Sequence, residues 1–496
     1  MKHSLHALAL GLAAVSSLCA AAPDRTNVLF ICVDDLKPLL GCYGDPRVKT
    51  PHIDRLSARG VTFDRAYCNA AICAPSRISL LTGQRPSTLG IYNLTSVFRT
   101  VAPETVTLAQ YFRMHGWHTA SLGKVMHDKS GHEDPVSWSA PHWYPPKGLA
   151  AHVYALPEHI AQQQRAASGA GRTRGPAVES AAVPDTAYSD GQIADEAIVR
   201  LRQAHAAPAQ PFFLAVGFIK PHLPFCAPRK YWDLYDRDSF ELAAVREPPR
   251  DVPAYTLTGS SELNNYSDMP ATRPLPDAKQ RELIHGYHAA VSFMDAQVGR
   301  VLDELDRLKL AERTIIVLWG DHGWHLGDHG FWGKSTNFEE AARIPLIVSA
   351  PGVGRPGTRT CALVETVDLY PTLAELAGLP APRVPQALDG RSFAGVLRVP
   401  SSSARVGAFH SFPRTKPGEG QHVGHAVRTE RHRLVEWKKP GDADEIADLE
   451  LYDYGEDPLE TKNVAAQQPA VVQRLRALLA AQPAPRPQAK STEVRP

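Results

Sequence analysis

The run NVLFICVDD, residues 27–35, is four-sevenths β-branched or aromatic through Val33 and then stops on two aspartates. A short, wholly apolar run of this kind predicts a strand buried on both faces, as in a mostly parallel sheet covered by helices on either side. Three more runs repeat the pattern of apolar residues closed by polar ones. HTASLGKVMH (118–127) carries Lys124 and His127, and FFLAVGFIKPHLPF (212–225) runs into Lys220 and His222. RTIIVLWGDHGWHLGDHG (313–330) breaks at Asp321 and His322. In open α/β sheets ligands bind beyond the carboxyl ends of the strands. Four such strands would therefore bring their polar ends to one edge, and that convergence predicts a single site.

Helical patterns fill the intervals. Residues 280–309 place Leu283, Val291, Met294, Val298, Val301 and Leu305 at helical spacing. TVDLYPTLAELAG predicts another helix, with Gly378 at its C-terminal cap. Residues 128–190 and 240–277 are irregular and read as long excursions over the surface, a frequent place for substrate recognition. VPSSSAR (399–405) marks a boundary. After it HAVRTERHRLVEW and ELYDY read as antiparallel strands, and PAVVQRLRALLAAQ as a helix with Val472, Leu475 and Leu479 on one face. The expected layout is thus a signal peptide at 1–22, a catalytic domain at 23–400, a small C-terminal α+β subdomain at 401–485 and a disordered tail at 486–496.

The 496 residues suffice for such a core, and 43% hydrophobic with 21% charged residues is ordinary for a globular protein. A net charge of +2 supplies no electrostatic footprint for nucleic acid or an anionic membrane. The N-terminus combines a positive start, a short apolar run from Leu8 to Val15 and an alanine-rich end at Ala20–Ala22. That is the pattern of a secretory signal, and it predicts export to a periplasm or extracellular space without stable membrane insertion. Without Cys19, six cysteines remain: Cys32, Cys42, Cys68, Cys73, Cys226 and Cys361. They show no metal-type CxxC pair and no disulfide framework, although Cys68 and Cys73 could bridge.

The strand ends carry the chemistry. Asp34, Asp35 and Asp321 form an oxygen-rich cluster that like-charge repulsion disfavours without a cation, and such donors suit a hard divalent ion such as calcium. His322 is an unusual neighbour for calcium and leaves room for another metal. Arg77, Lys124, Lys334, His127 and His222 would surround the same ion, which makes sense if a strongly anionic group binds between them. NAAICAPSRISLLTG (69–83) sets Cys73 just before Pro75, a favourable first-turn residue, so that a helix would begin at the thiol and add its N-terminal donors. The pocket suits a tetrahedral oxyanion ester, sulfate or phosphate.

CAPSR at 73–77, followed by ISLLTGQRP, resembles the Cys-x-Pro-x-Arg signature of the type I, formylglycine-dependent sulfatases. NVLFICVDDLKPLLGCYGD, TPHIDRLSARGVTF, GKVMH, KPHLPF, GDHGWHLGDHGFWGKSTNFEEAARIPLIV, VDLYPTLAELAG and ELYDYGEDPLETKN are also similar to that family and stand in its order. Within it, DDLKPLLGCYGD, GKVMHD and GWHLGDHGFWGKSTNFE bring the chain nearest to the iduronate-2-sulfatases. The resemblance implies an alkaline-phosphatase-like fold: a mixed, mostly parallel sheet sandwiched by helices, with a small C-terminal subdomain. It implies conversion of Cys73 to formylglycine by a separate maturation enzyme. The hydrated aldehyde offers two hydroxyls: one attacks sulfur and expels the sugar alcohol, and loss of the second proton releases sulfate and restores the aldehyde.

By the same resemblance Asp34, Asp35, Asp321, His322 and the modified Cys73 bind one calcium ion. Arg77 holds the nucleophile, with Asp321 a candidate base. Lys124 and Lys334 grip sulfate oxygens, His222 is the candidate acid for the leaving oxygen, and His127 takes the second hydroxyl's proton. Trp324, with His325 and His329 nearby, is the aromatic candidate for the sugar site. The expected substrate is a sulfated oligo- or polysaccharide carrying 2-O-sulfated uronic acid. The competing readings are a phosphate ester or phosphonate hydrolase of the same superfamily and a non-catalytic protein that binds sulfated glycans.

Overall fold

The computed structural model describes residues 25–127, 133–168, 174–257, 262–442 and 445–489. The expected signal peptide and residues 490–496 of the expected tail lie outside them. The large domain is built on β1 (Asn27–Val33), α1 (Pro51–Arg59), β2 (Val61–Tyr67), α2 (Cys73–Thr82), α3 (Leu108–Met114) and β3 (His118–Gly123). It continues with α4 (Pro157–Ala167), α5 (Ser189–Ala206), β4 (Phe212–Phe218), α6 (Asp277–Arg307), β5 (Thr314–Gly320), β6 (Leu346–Ser349), β7 (Thr358–Glu365) and α7 (Leu369–Leu376).

The four apolar runs are neighbours in one sheet. β5, β1, β4 and β3 lie side by side and parallel, with Ile31 level with Leu318 on one side and Val216 on the other. β6 runs antiparallel between β5 and β2, β7 pairs parallel with β2, and the short strand Arg343–Ile344 closes that edge. The result is an eight-stranded mixed sheet. β1 shows why both faces are covered. Leu29, Ile31 and Val33 pack with Ile193, Ala197 and Leu201 of α5 and Leu283 to Leu305 of α6, whereas Val28, Phe30 and Cys32 pack with Phe112 of α3 and Leu369 and Leu373 of α7. The period of two thus divides one strand between two cores, and each buried Val, Leu, Ile or Phe contributes about 1.5–3 kcal/mol. The helical apolar positions of 280–309 are all buried in α6.

The described parts of the first excursion are more built than a surface loop. They contain α4, bury Trp138 and Tyr154, and pair Val178–Ala181 with Phe225–Pro228. The second excursion joins it through a bridge between Arg174 and Tyr266, and Asp268 accepts from the backbone of Ala177 at 2.7 Å. Beyond residue 400, β8 (Ala408–Lys416), β9 (Gly420–Arg428), β10 (His432–Lys438) and β11 (Ile446–Asp453) form an antiparallel sheet in that order. α8 (Pro469–Ala480) lays Val472 and Leu475 on it. Arg486–Ala489, expected in the disordered tail, instead bond to the segment after α2: Arg486 N–H donates to Ser87 O at 2.8 Å and Ala489 N–H to Gly90 O at 2.7 Å. Polar backbone groups here find partners that composition alone does not reveal. Among the described residues no helix is long and apolar enough to cross a membrane.

Candidate active site

Each reactive side chain is placed by the way its strand ends. β1 leaves the sheet with Asp35 at φ 57°, a left-handed backbone that non-glycine residues seldom adopt. The turn is held by Asp35 N–H donating to Asp321 Oδ1 at 3.0 Å and by Tyr287 Oη donating to Asp35 O at 2.8 Å. Asp321 follows β5, and its N–H donates to Val33 O at 3.1 Å, so the two strand ends are tied together. β3 ends at Gly123, φ +67°, and Lys124 N–H reaches Gly217 O at 2.8 Å. A Cβ on Gly217 would lie 2.2 Å from the Lys124 carbonyl carbon, so glycine is required for Lys124 to come this close.

Cys73 is the first residue of α2, whose ten residues are all buried. Ile72 before it offers no side-chain cap, so the helix start keeps uncapped backbone donors and positive potential beside the thiol, although Pro75, lacking an N–H, adds none. One turn along, Arg77 is fully buried. It donates from Nε to Asp321 Oδ2 at 3.0 Å, from Nη2 to Asp34 Oδ1 at 2.8 Å, and from Nη1 to the carbonyls of Lys124 and Val125. A single guanidinium thereby fixes two carboxylates and the end of β3.

Cys73 Sγ lies 3.4 Å from His322 Nε2 and 3.6 Å from Lys334 Nζ. Lys334 also bonds both oxygens of Asp35, at 2.8 and 2.9 Å, while Lys124 pairs with Asp34. His322 Nδ1 faces the Gly323 carbonyl at 3.0 Å; since a carbonyl only accepts, that nitrogen carries the proton and Nε2 turns its lone pair to the site. His222 is arranged likewise: Nδ1–H donates to Leu223 O at 2.6 Å and Nε2 lies 4.0 Å from oxygens of both Asp34 and Asp35. His127 is buried three residues beyond Lys124.

Ligand atoms of Asp34, Cys73, Asp321 and His322 fall within 4.8 Å of one another, as do those of Asp34, Asp35, Cys73 and His222. Burial and the neighbouring carboxylates push Asp35 well above the usual carboxyl range. Burial likewise pushes Asp321 up to about 7 although Arg77 opposes it. Burial also raises Asp34, but Lys124 and Arg77 outweigh that and hold it well below. Three buried carboxylates crowd one space and each disfavours the ionisation of the others, a repulsion that Arg77, Lys124 and Lys334 offset only in part at Asp35 and Asp321. Each set offers two carboxylate oxygens beside one sulfur and one imidazole nitrogen, a mix that fits a divalent cation. Burial, reinforced by Lys334 and Lys124, lowers His222 to about 3, although Glu262 and Asp34 oppose it.

Two findings depart from the sequence reading. Trp324 has no open face for a sugar: it is 1% exposed, lies edge-on to Phe225 and supports Lys334, whose Nζ sits 5.2 Å from the ring centre. Its apolar body completes the core under the lysine. Glu262, from the second excursion, reaches the cluster unforeseen, 3.4 Å from His222 Nε2 and 3.5 Å from Lys334 Nζ. Burial would raise its carboxyl, but Lys334, His222 and Lys124 hold it down at about 2. One acid in the aperiodic SSELNNYSD offers no pattern by which to find it. Cys68 and Cys73 are both free thiols, so the bridge left open by the sequence is not made.

A sulfatase family model matches residues 26–379, and a second, for the C-terminal part of N-sulphoglucosamine sulphohydrolase, matches 327–483. Iduronate 2-sulfatase from Mus musculus is 34% identical over 515 aligned residues, covering 90% of this chain and 91% of that protein. A structure solved with its substrate D-glucosamine-2-N,6-O-disulfate superposes with TM-score 0.71 at 21% identity, covering 92% of this chain and 97% of that one. Phosphonate monoester hydrolase from Silicibacter pomeroyi superposes equally well, TM-score 0.71 at 24% identity over 92% and 94%. These two likenesses concern the fold alone. The family match over the strands that carry the cluster, with the full-length similarity to a sulfate ester hydrolase, makes the conclusion plain: the chain belongs to the sulfatase family and is a sulfatase.

Proposed function

We propose that this sulfatase removes 2-O-sulfate from uronic acid residues of sulfated glycans, using formylglycine made from Cys73 beside a calcium ion. The observation that carries the reading is the place of Cys73, at a helix start among Asp34, Asp321, His322 and Lys334. The choice of substrate rests on the similarity to an iduronate 2-sulfatase along nine-tenths of the chain.

Asp34, Asp35, Asp321 and His322 would hold the ion, together with residue 73. The ion supplies Lewis-acid polarisation, and formylglycine supplies, as its hydrate, one hydroxyl to attack sulfur and a second to release it. The chain's own residues do the rest. Arg77 keeps Asp34 and Asp321 in place and lends positive charge beside residue 73. Asp321 is the acceptor for the attacking hydroxyl's proton. Carboxylates engaged with a metal leave Lys124 and Lys334 to bind the ester's anionic oxygens and the charge that grows on them. His222, its Nδ1–H fixed by Leu223, holds a proton at Nε2 for the departing sugar oxygen once the anionic ester offsets the two lysines. His127 takes the proton that accompanies sulfate release. The chain acts after export and depends on a formylglycine-generating partner.

The test is sulfate release from a panel of 2-O-, 6-O- and N-sulfated saccharides, with an aryl phosphate and an aryl phosphonate alongside. The reading expects the 2-O-sulfated uronate to have the highest kcat/KM. Faster turnover of the phosphonate or phosphate would overturn it.

A further inference from the structure

Lys220 follows β4 at the edge where the site lies, and the chemistry above gives it no task. It is only 5% exposed. A lysine is seldom buried so far, because taking its ammonium out of water is costly. Burial pulls this ammonium below the ordinary lysine range, although Asp190 and Asp34 favour its charge. Its head donates to two backbone carbonyls, His222 O at 2.8 Å and Pro224 O at 2.6 Å.

Those two carbonyls flank a third. Leu223 O accepts from His222 Nδ1–H at 2.6 Å, the bond that leaves Nε2 as the nitrogen facing Asp34, Asp35 and Glu262. The peptide that carries Leu223 O thus lies between two that Lys220 pins. The turn is anchored on its other side as well. Asp190, buried in the first turn of α5, accepts from Ile219 N–H at 2.8 Å and from Lys220 N–H at 2.9 Å, and His222 N–H donates to Ile219 O at 2.9 Å. The reactive nitrogen of a histidine is chosen by the bond that its other nitrogen makes. Whatever holds Leu223 O therefore holds the tautomer and the aim of His222.

We propose that Lys220 is a positioning residue for His222: by fixing the carbonyls on either side of Leu223 O, it keeps Nδ1–H engaged and Nε2 turned to the leaving oxygen. Lys220 touches neither the ester nor the metal ligands in this role and acts only through the backbone. The proposal rests on the reading of His222 as the acid for that oxygen.

The test measures kcat and KM of the matured, metal-loaded enzyme on two substrates. A 2-O-sulfated uronate monosaccharide leaves as an alkoxide that needs a proton, whereas 4-nitrophenyl sulfate leaves as a phenoxide that does not. General acid assistance is worth about 10²–10⁴-fold, so Lys220→Met should lower kcat on the saccharide by about 10²-fold, while its KM and the kcat on the aryl sulfate stay within about threefold of the parent. Groups that act as a unit are not additive, so with His222→Ala in place Lys220→Met should take away little more. Lys220→Gln keeps N–H donors on a shorter stem; it should lower the saccharide-to-aryl ratio by about tenfold, and it carries the test if the methionine variant does not fold. Equal losses on both substrates, a ratio unmoved in the variants that fold, or losses that multiply in the double variant would overturn the proposal alone. Equal losses on both substrates in His222→Ala itself would overturn the acid reading and the proposal with it.

Discussion

Two buried ionic networks in this molecule both pair carboxylates with basic side chains, yet they reach opposite states. At the junction with the C-terminal sheet, Arg433 bonds Glu460 at 2.6 Å and also Glu339. Arg428 bonds Glu339 at 3.2 Å, and Tyr67 and Tyr454 hydroxyls donate to the same carboxylates. Burial would raise the Glu339 carboxyl, but Arg428 and Arg433 outweigh it and hold it below the ordinary range. At the sheet edge, Asp34 is held down in the same way, yet Asp35 and Asp321 beside it are pushed up. The junction is satisfied as it stands. The site is frustrated, and an added cation would relieve it. Local conflict of this kind concentrates where function requires it, whereas a satisfied network serves the fold.

That contrast can be broken from either side. The largest effect belongs to the nucleophile. Cys73→Ala should lower sulfate release by roughly 10⁴-fold or more, since groups that act as a unit leave little when one is removed; its melting temperature should stay near that of the parent, and calorimetry should still find metal binding. Next comes the junction. Arg433→Met should cost about 3–5 kcal/mol in denaturant unfolding because it takes the guanidinium from buried Glu460 and one of the two from Glu339, while turnover per folded molecule is unchanged.

Metal removal sharpens the difference further. At about 100 times its Kd a bound ion stabilises by about 2.7 kcal/mol, so chelation should lower the melting temperature of the parent protein. Asp35→Asn should lose that response and most turnover, yet melt no lower than the parent in chelator, because it removes a charge that the folded state disfavours. The smallest effect concerns Glu262. Its carboxylate competes with an anionic ester for Lys334, and Glu262→Gln should lower KM for a small aryl sulfate about threefold, in keeping with a partly exposed ion pair. An unchanged or raised KM would mean that Glu262 does not occupy the anion's ground.

The sequence was most informative where burial imposes a period. Runs 27–35 and 313–320 were legible as buried strands of a mostly parallel sheet because a sheet covered twice demands apolar residues on both faces, and their abrupt polar ends announced Asp34, Asp35 and Asp321; that the two are neighbours came from the structure. The order of the outer strands was not. β2 carries Asp64 and Arg65 within its run, and its partners β6 and β7 come from nearly three hundred residues away. Glu262 and Arg174 were hidden for a related reason. The two excursions meet each other through one backbone bridge and one side-chain cap, which leave no repeating signature. The two tryptophans of the 324–332 hairpin look alike in sequence. Only the packing of Phe225 against Trp324 distinguishes the buried ring that supports Lys334 from Trp332, which stays part-exposed.

The central claim is that Cys73 is a maturation site inside a sulfatase centre. It is tested most directly by fragmentation mass spectrometry of the tryptic peptide AYCNAAICAPSR, residues 66–77, from protein shown to release sulfate. The account predicts formylglycine at position 73 with Cys68 unchanged. Full sulfate turnover by protein whose Cys73 is wholly unmodified would contradict it.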